Sequence, residues 1–60
     1  MKPWIADVNG TWYLIIATGS GKPNAAVLPG NSGMGGGGAA KAGIPVIRMS
    51  LSELRKVATV

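Results

Sequence analysis

The apolar and polar positions near the start of the chain predict a β-hairpin. Residues 4–8 and 11–16 are rich in aromatic and β-branched side chains, and Asn9-Gly10 separates the two runs. Asn and Gly tolerate the positive φ angles that a two-residue type I′ turn requires. The pattern therefore predicts a hairpin over about residues 4–17, with Val8 opposite Thr11 and Trp4 opposite Ile15.

Alternation along the two strands divides the hairpin residues between two faces. Successive side chains of a strand point to opposite sides of the sheet. One face is predicted to carry Trp4, Ala6, Val8, Thr11, Tyr13 and Ile15, and the other Ile5, Asp7, Trp12, Leu14 and Ile16. Both sets are largely apolar, whereas a sheet with one face in water usually alternates apolar and polar residues. The hairpin is therefore predicted to need cover on both faces.

The C-terminal third predicts a strand followed by a short helix. Residues 44–49 are apolar and β-branched, but Pro45 lacks a ladder donor, which favours an edge strand. Ser50 and Glu53 have the spacing of a capping box, which predicts a helix over about residues 51–58. Its apolar stripe is Leu51, Leu54, Val57 and Ala58. So short a helix must pack on one hairpin face, and the sequence leaves open which one.

The middle of the chain has a different composition. Nine of the ten glycines fall within residues 18–43, and residues 25–28 alone suggest a further short strand. Such a segment is either a mobile linker or an ordered arm whose backbone lies flat against a neighbouring surface. Together these features predict a single small α+β domain over residues 1–60, with a glycine-rich irregular middle.

A Gly-Lys pair after the hairpin raises the possibility of a phosphate-binding loop. A Walker A loop requires a glycine five positions before Gly21 and a hydroxyl residue after Lys22. The chain has Ile16 and Pro23 at those positions. We therefore interpret this stretch as a connection between strands.

Composition restricts the chemistry of the chain. It has no cysteine and no histidine, and its only acidic residues are Asp7 and Glu53. Disulfides and thiolate metal sites are excluded, and we expect no catalytic residue, no metal and no cofactor. The net charge of +4 reflects a shortage of acids more than an excess of bases. We also expect a soluble chain without a signal peptide or membrane insertion.

These observations favour a non-enzymatic structural or interaction protein. The expected role is an accessory subunit that docks on a larger protein assembly or forms a homo-oligomer; a virion decoration or cement protein is one example. Its expected interface residues are Trp4, Ile5, Trp12, Tyr13, Leu14 and Ile16. The alternatives are a small protein inhibitor and a basic nucleic-acid-binding protein. The latter would use Lys41, Arg48, Arg55 and Lys56.

Overall fold

The computed structural model describes residues 1–29 and 42–60. Within them lie four strands and one helix: β1 (Trp4–Val8), β2 (Thr11–Ile16), β3 (Asn24–Val27), β4 (Val46–Arg48) and α1 (Leu51–Val57). The strands form one mixed sheet in the order β3-β2-β1-β4. The predicted α+β class is confirmed. The glycine-rich middle was predicted to be either a mobile linker or an ordered contact arm. Most of that segment, residues 30–41, lies outside the described part of the chain.

The hairpin has the predicted turn and register. All five pairs of β1 and β2 are observed, from Trp4 with Ile15 to Val8 with Thr11. Asn9 and Gly10 have φ angles of 55° and 90°, as the type I′ turn requires. The amide of Gly10 also donates a 3.0 Å hydrogen bond to Asp7 Oδ1, which closes the turn.

The two outer strands differ from their predicted bounds. Strand β3 pairs antiparallel with β2 and begins one residue earlier than predicted. Strand β4 pairs parallel with β1 and is limited to three residues instead of 44–49. Its flanking residues still bond to β1, because Ile5 N donates to the Pro45 carbonyl (2.8 Å) and Met49 N to the Asp7 carbonyl (3.0 Å). Pro45 thus contributes an acceptor at the start of this edge strand.

The helix begins with the predicted capping box. The Ser50 hydroxyl accepts a hydrogen bond from Glu53 N, and the Glu53 carboxylate accepts one from Ser50 N. The helix ends at Val57, one residue before its predicted end, because Ala58 has an extended backbone. This change of direction lets Thr59 hydrogen-bond to β3: Ala25 N donates to the Thr59 carbonyl, and Thr59 N donates to the Pro23 carbonyl, both at 2.8 Å.

The core lies between α1 and the hairpin face that carries Trp4. Ala6 and Ile15 of the hairpin are buried against Leu54 and Ala58. The prediction that Val57 packs in the same stripe is wrong, since its side chain is 46% exposed. Leu54 and Ala58 are one turn apart and point at the sheet, whereas Val57 lies beside that line at the end of the helix.

Candidate functional site

The sheet has a second face on the side away from α1, here called the distal face. Among the described residues, no helix covers it. Residues paired in register share a face of the sheet. Accordingly, the distal face comprises Ile5, Asp7, Trp12, Leu14 and Ile16 of the hairpin, Asn24 and Ala26 of β3, and Val46 and Arg48 of β4.

Burial varies strongly across the distal face. Ile5, in the central strand β1, is completely buried, and Trp12 and Leu14 are half-buried. Ile16 and Val46 are 46% and 42% exposed. Two exposed aliphatic side chains thus share a face with a half-buried tryptophan and leucine.

The structure divides the six predicted interface residues between the two sides of the sheet. Trp4 and Tyr13 lie on the helix side and pack against the core cluster. Ile5 lies on the distal face but has no exposed surface. Trp12, Leu14 and Ile16 form a group that shares the distal face and is partly accessible, although Trp4 and Tyr13 on the helix side are half-buried as well.

Val46 belongs with that group, although the sequence analysis did not select it. Its position follows from the pairing of β4 with β1, in which Val46 lies beside Ile5. No local signal in the sequence specifies which strand borders β1, because this pairing joins residues about 40 positions apart. The apolar character of Val46 within a predicted edge strand was the one available indication.

The structure likewise separates the cations proposed for nucleic-acid binding. Arg48 lies on the distal face, in register with Asp7, whereas Arg55 and Lys56 occupy the last turn of α1 on the other side of the sheet. Lys41 lies outside the described residues. Lys22 was not in the predicted set, yet its Nζ donates a 3.1 Å hydrogen bond to the Arg55 carbonyl. It thereby joins the basic end of the helix.

Both carboxylates have structural partners. Asp7 accepts the turn hydrogen bond from Gly10 N. Glu53 Oε1 accepts hydrogen bonds from Ser50 N (3.1 Å) and from the Ser50 hydroxyl (3.0 Å). The backbone hydrogen bond from Ser50 is the largest cause of a lowered Glu53 pKa, followed by the hydroxyl, while Lys56 makes a smaller contribution in the same direction. The two carboxylates thus have separate hydrogen-bond partners, Gly10 for Asp7 and Ser50 for Glu53.

The Gly-Lys loop does not direct its lysine inward. Residues 17–21 and Pro23 line a shallow surface depression together with Met1, and Gly19 and Gly21 adopt positive φ angles there. Lys22 is not part of that lining and extends to the helix terminus instead. This geometry is consistent with the interpretation of the stretch as a connection between strands.

Two further findings concern metal-ligating side chains and the length of the helix. Across residues 1–29 and 42–60, no three potential metal-ligating side chains of His, Cys, Asp or Glu lie together. The same part of the chain contains no helix with the length and apolar character needed to cross a membrane.

Comparison with known proteins returns no match to this chain among family models, curated proteins or solved structures. Its fold and surface define a small α+β protein with one sheet face packed on a helix and an opposite face that is apolar and partly exposed.

Proposed function

We propose that this chain is a non-enzymatic structural or interaction protein that docks on a larger protein assembly through its distal face. A virion decoration or cement protein is an example of such an accessory subunit. The observation that carries the proposal is the exposure of Ile16 and Val46 on the same sheet face as the half-buried Trp12 and Leu14. A partner surface that covers them would remove apolar area from water and stabilise the complex.

The chemistry of the distal face favours a protein partner over a nucleic acid. Its accessible side chains are mainly aliphatic. Among the described residues its one cation is Arg48, which has the acidic Asp7 as its neighbour on β1. Nucleic-acid affinity depends on several cations that neutralise phosphates together. The partners we propose are therefore a protein assembly or further copies of the chain.

The proposal is tested by placing a charge on each side of the molecule. Ile16→Lys charges the distal face, and Val57→Lys is its control, because both side chains are 46% exposed and both variants gain the same charge. Each variant is expressed with an affinity tag in the native source, and the extract is separated by size. We expect the wild type and Val57→Lys to elute with a large assembly and Ile16→Lys to elute free of it.

The opposite outcome has a clear meaning in this experiment. If Ile16→Lys stays in the assembly, the chain does not dock through the distal face. If the wild type elutes as a free small protein, the accessory-subunit role itself is wrong. Circular dichroism of each purified variant establishes that the substitution leaves the fold intact.

Nucleic-acid binding is the second candidate, and the basic end of α1 supports it. Lys22 contacts the Arg55 carbonyl, and Lys56 follows in the same turn, so three cations from two segments lie around one helix end. Titration of labelled DNA and RNA at low and high salt tests this role, because phosphate neutralisation makes affinity fall steeply with salt. Absence of binding at low salt removes the candidate.

A further inference from the structure

The outer edge of β4 presents main-chain groups in a defined pattern. The Pro45 carbonyl and the Met49 amide both bond to β1. Since the amide and carbonyl of one strand residue point to the same side and alternate along the strand, the groups of Ile47 also face β1. Those of Val46 and Arg48 therefore point away from the sheet, and the missing N–H of Pro45 lies on the β1 side. The proline thus leaves the outward donors of this edge intact.

The opposite edge of the sheet is partly closed by the chain itself. On β3, the amide of Ala25 points outward and donates to the Thr59 carbonyl, while the Pro23 carbonyl accepts from Thr59 N. Thr59 forms a parallel bridge with Asn24 at this edge. Among the described residues, no comparable segment bonds to the outer side of β4. The two edges consequently differ in their capacity to accept a further strand.

We propose that the outer edge of β4 pairs antiparallel with β4 of a second copy of this chain. With Ile47 at the two-fold axis, Val46 of one copy faces Arg48 of the other. Each such pair exchanges two main-chain hydrogen bonds, so the four outward donors and four outward acceptors of the two strands yield four bonds. The two Ile47 side chains, each 47% exposed, then meet across the axis on the helix side of the sheet.

The same symmetry joins the distal faces of the two copies. A two-fold axis that relates antiparallel strands within one sheet runs perpendicular to that sheet, so both helices lie on one side and both distal faces on the other. The result is a continuous eight-stranded sheet. This dimer uses the edge of β4 and does not depend on the proposed docking through the distal face. A monomer could dock through that face as well.

Charge and size set the strength of this association. Each copy carries a net charge of +4, so the copies repel each other at low ionic strength. Asp7 is paired in register with Arg48 in each copy, which places one carboxylate near the new junction. A contact made by three residues per copy is far smaller than a standard interface of about 1,600 Å². We therefore expect a weak dimer that added salt strengthens, opposite to the salt response of nucleic-acid binding.

Sedimentation equilibrium from micromolar to millimolar protein, at low and high salt, measures the dimer directly. Ile47→Lys places two like charges at the axis and is expected to weaken association by at least about tenfold. Val27→Lys is the matched control, since Val27 is an exposed valine on the helix side of the opposite edge strand. It adds the same charge to each copy and should weaken the dimer much less.

Chemically synthesised chains test the backbone contribution without changing any side chain. N-methylation of the Val46 amide removes an outward donor at β4, and N-methylation of the Val27 amide is its counterpart at β3. We expect the first to abolish the dimer and the second to preserve it. Amide chemical shifts report whether each chain keeps its fold.

Three results would overturn the proposal. The first is a wild-type chain that stays monomeric at millimolar concentration in high salt. The second is a dimer that withstands both Ile47→Lys and N-methylation of Val46, because it then uses another surface. The third is equal loss of the dimer on modification of β3 and β4. None of these results bears on docking through the distal face, which the Ile16→Lys comparison tests separately.

Discussion

Replacement of Leu54 by alanine removes the large helix side chain that is fully enclosed between α1 and the sheet. Leu54 has no exposed surface and belongs to the cluster formed with Ala6, Ile15 and Ala58. Val57→Ala is the informative comparison, because the helical pattern alone assigns both residues to one apolar stripe. The structure separates them, since Val57 is 46% exposed.

The expected magnitudes follow from these burials. Truncation of a buried leucine to alanine costs about 2–5 kcal/mol, and the upper part of that range applies when the surroundings cannot collapse into the cavity. Total stability for a domain of this length is only about 3–9 kcal/mol. Val57 is only about half-buried, so its truncation to alanine loses only roughly half of the free energy that burial of a whole valine side chain would contribute. Alanine also has the higher helix propensity. We therefore expect a change below about 1 kcal/mol.

Urea unfolding followed by tryptophan fluorescence and by circular dichroism measures both free energies. Leu54→Ala should be largely unfolded or have a greatly reduced midpoint, while Val57→Ala should unfold near the wild-type midpoint. Comparable losses in the two variants would refute the assignment of Leu54 as the helix anchor. A larger loss in Val57→Ala would show that the helix is rotated relative to the geometry described above.

Three further predictions concern the turn and the two helix ends. Gly10→Val should lower the free energy of unfolding by about 1–3 kcal/mol. The cause is the positive φ and not a steric clash, because a Cβ atom at Gly10 would have no neighbour within 4 Å. D-alanine at this site suits that φ and should retain wild-type stability in thermal unfolding. The Glu53 pKa is lowered on folding, so its stabilisation is present above the ordinary glutamate pKa and is lost as pH falls through the folded value. Glu53→Gln should thus lower the melting temperature slightly at pH 7 and lose that difference in acid; a constant difference would contradict the linkage. Lys22→Met should also lower the melting temperature slightly, by removing the hydrogen bond to the Arg55 carbonyl, and an unchanged value would show that this contact contributes nothing.

The parts of the fold that the sequence predicted are those encoded by neighbouring residues. Asn9 and Gly10 specify a two-residue turn, and that turn alone sets all five pairs of the hairpin. Ser50 and Glu53 specify the start of the helix in the same local way. In both cases the interacting groups lie within a few positions of one another, so the pattern contains the whole interaction.

The sequence left open which hairpin face receives the helix, and the choice of a candidate site depends on that face. The division of the hairpin residues between the two faces was predicted, with Trp12, Leu14 and Ile16 on one face and Trp4 and Tyr13 on the other, and the observed register confirms it. Both faces looked equally apolar in the sequence. The helix covers one of them because Leu54 and Ala58 pack against Ala6 and Ile15. The pattern of apolar residues along the sequence does not predict which residues of distant segments come into contact.

By itself, then, the sequence determined the hairpin with its register, the helix cap and the absence of cysteine and histidine chemistry. Only the tertiary structure decided that β4 runs parallel to β1, that Thr59 bonds to the edge of β3, and that the distal face is the one left without the helix. The physical reason is the range of the interactions. Turns and caps are made by residues close together in the sequence. Strand order and the choice of face depend on contacts between distant segments, and their free energies are determined by how the whole chain packs.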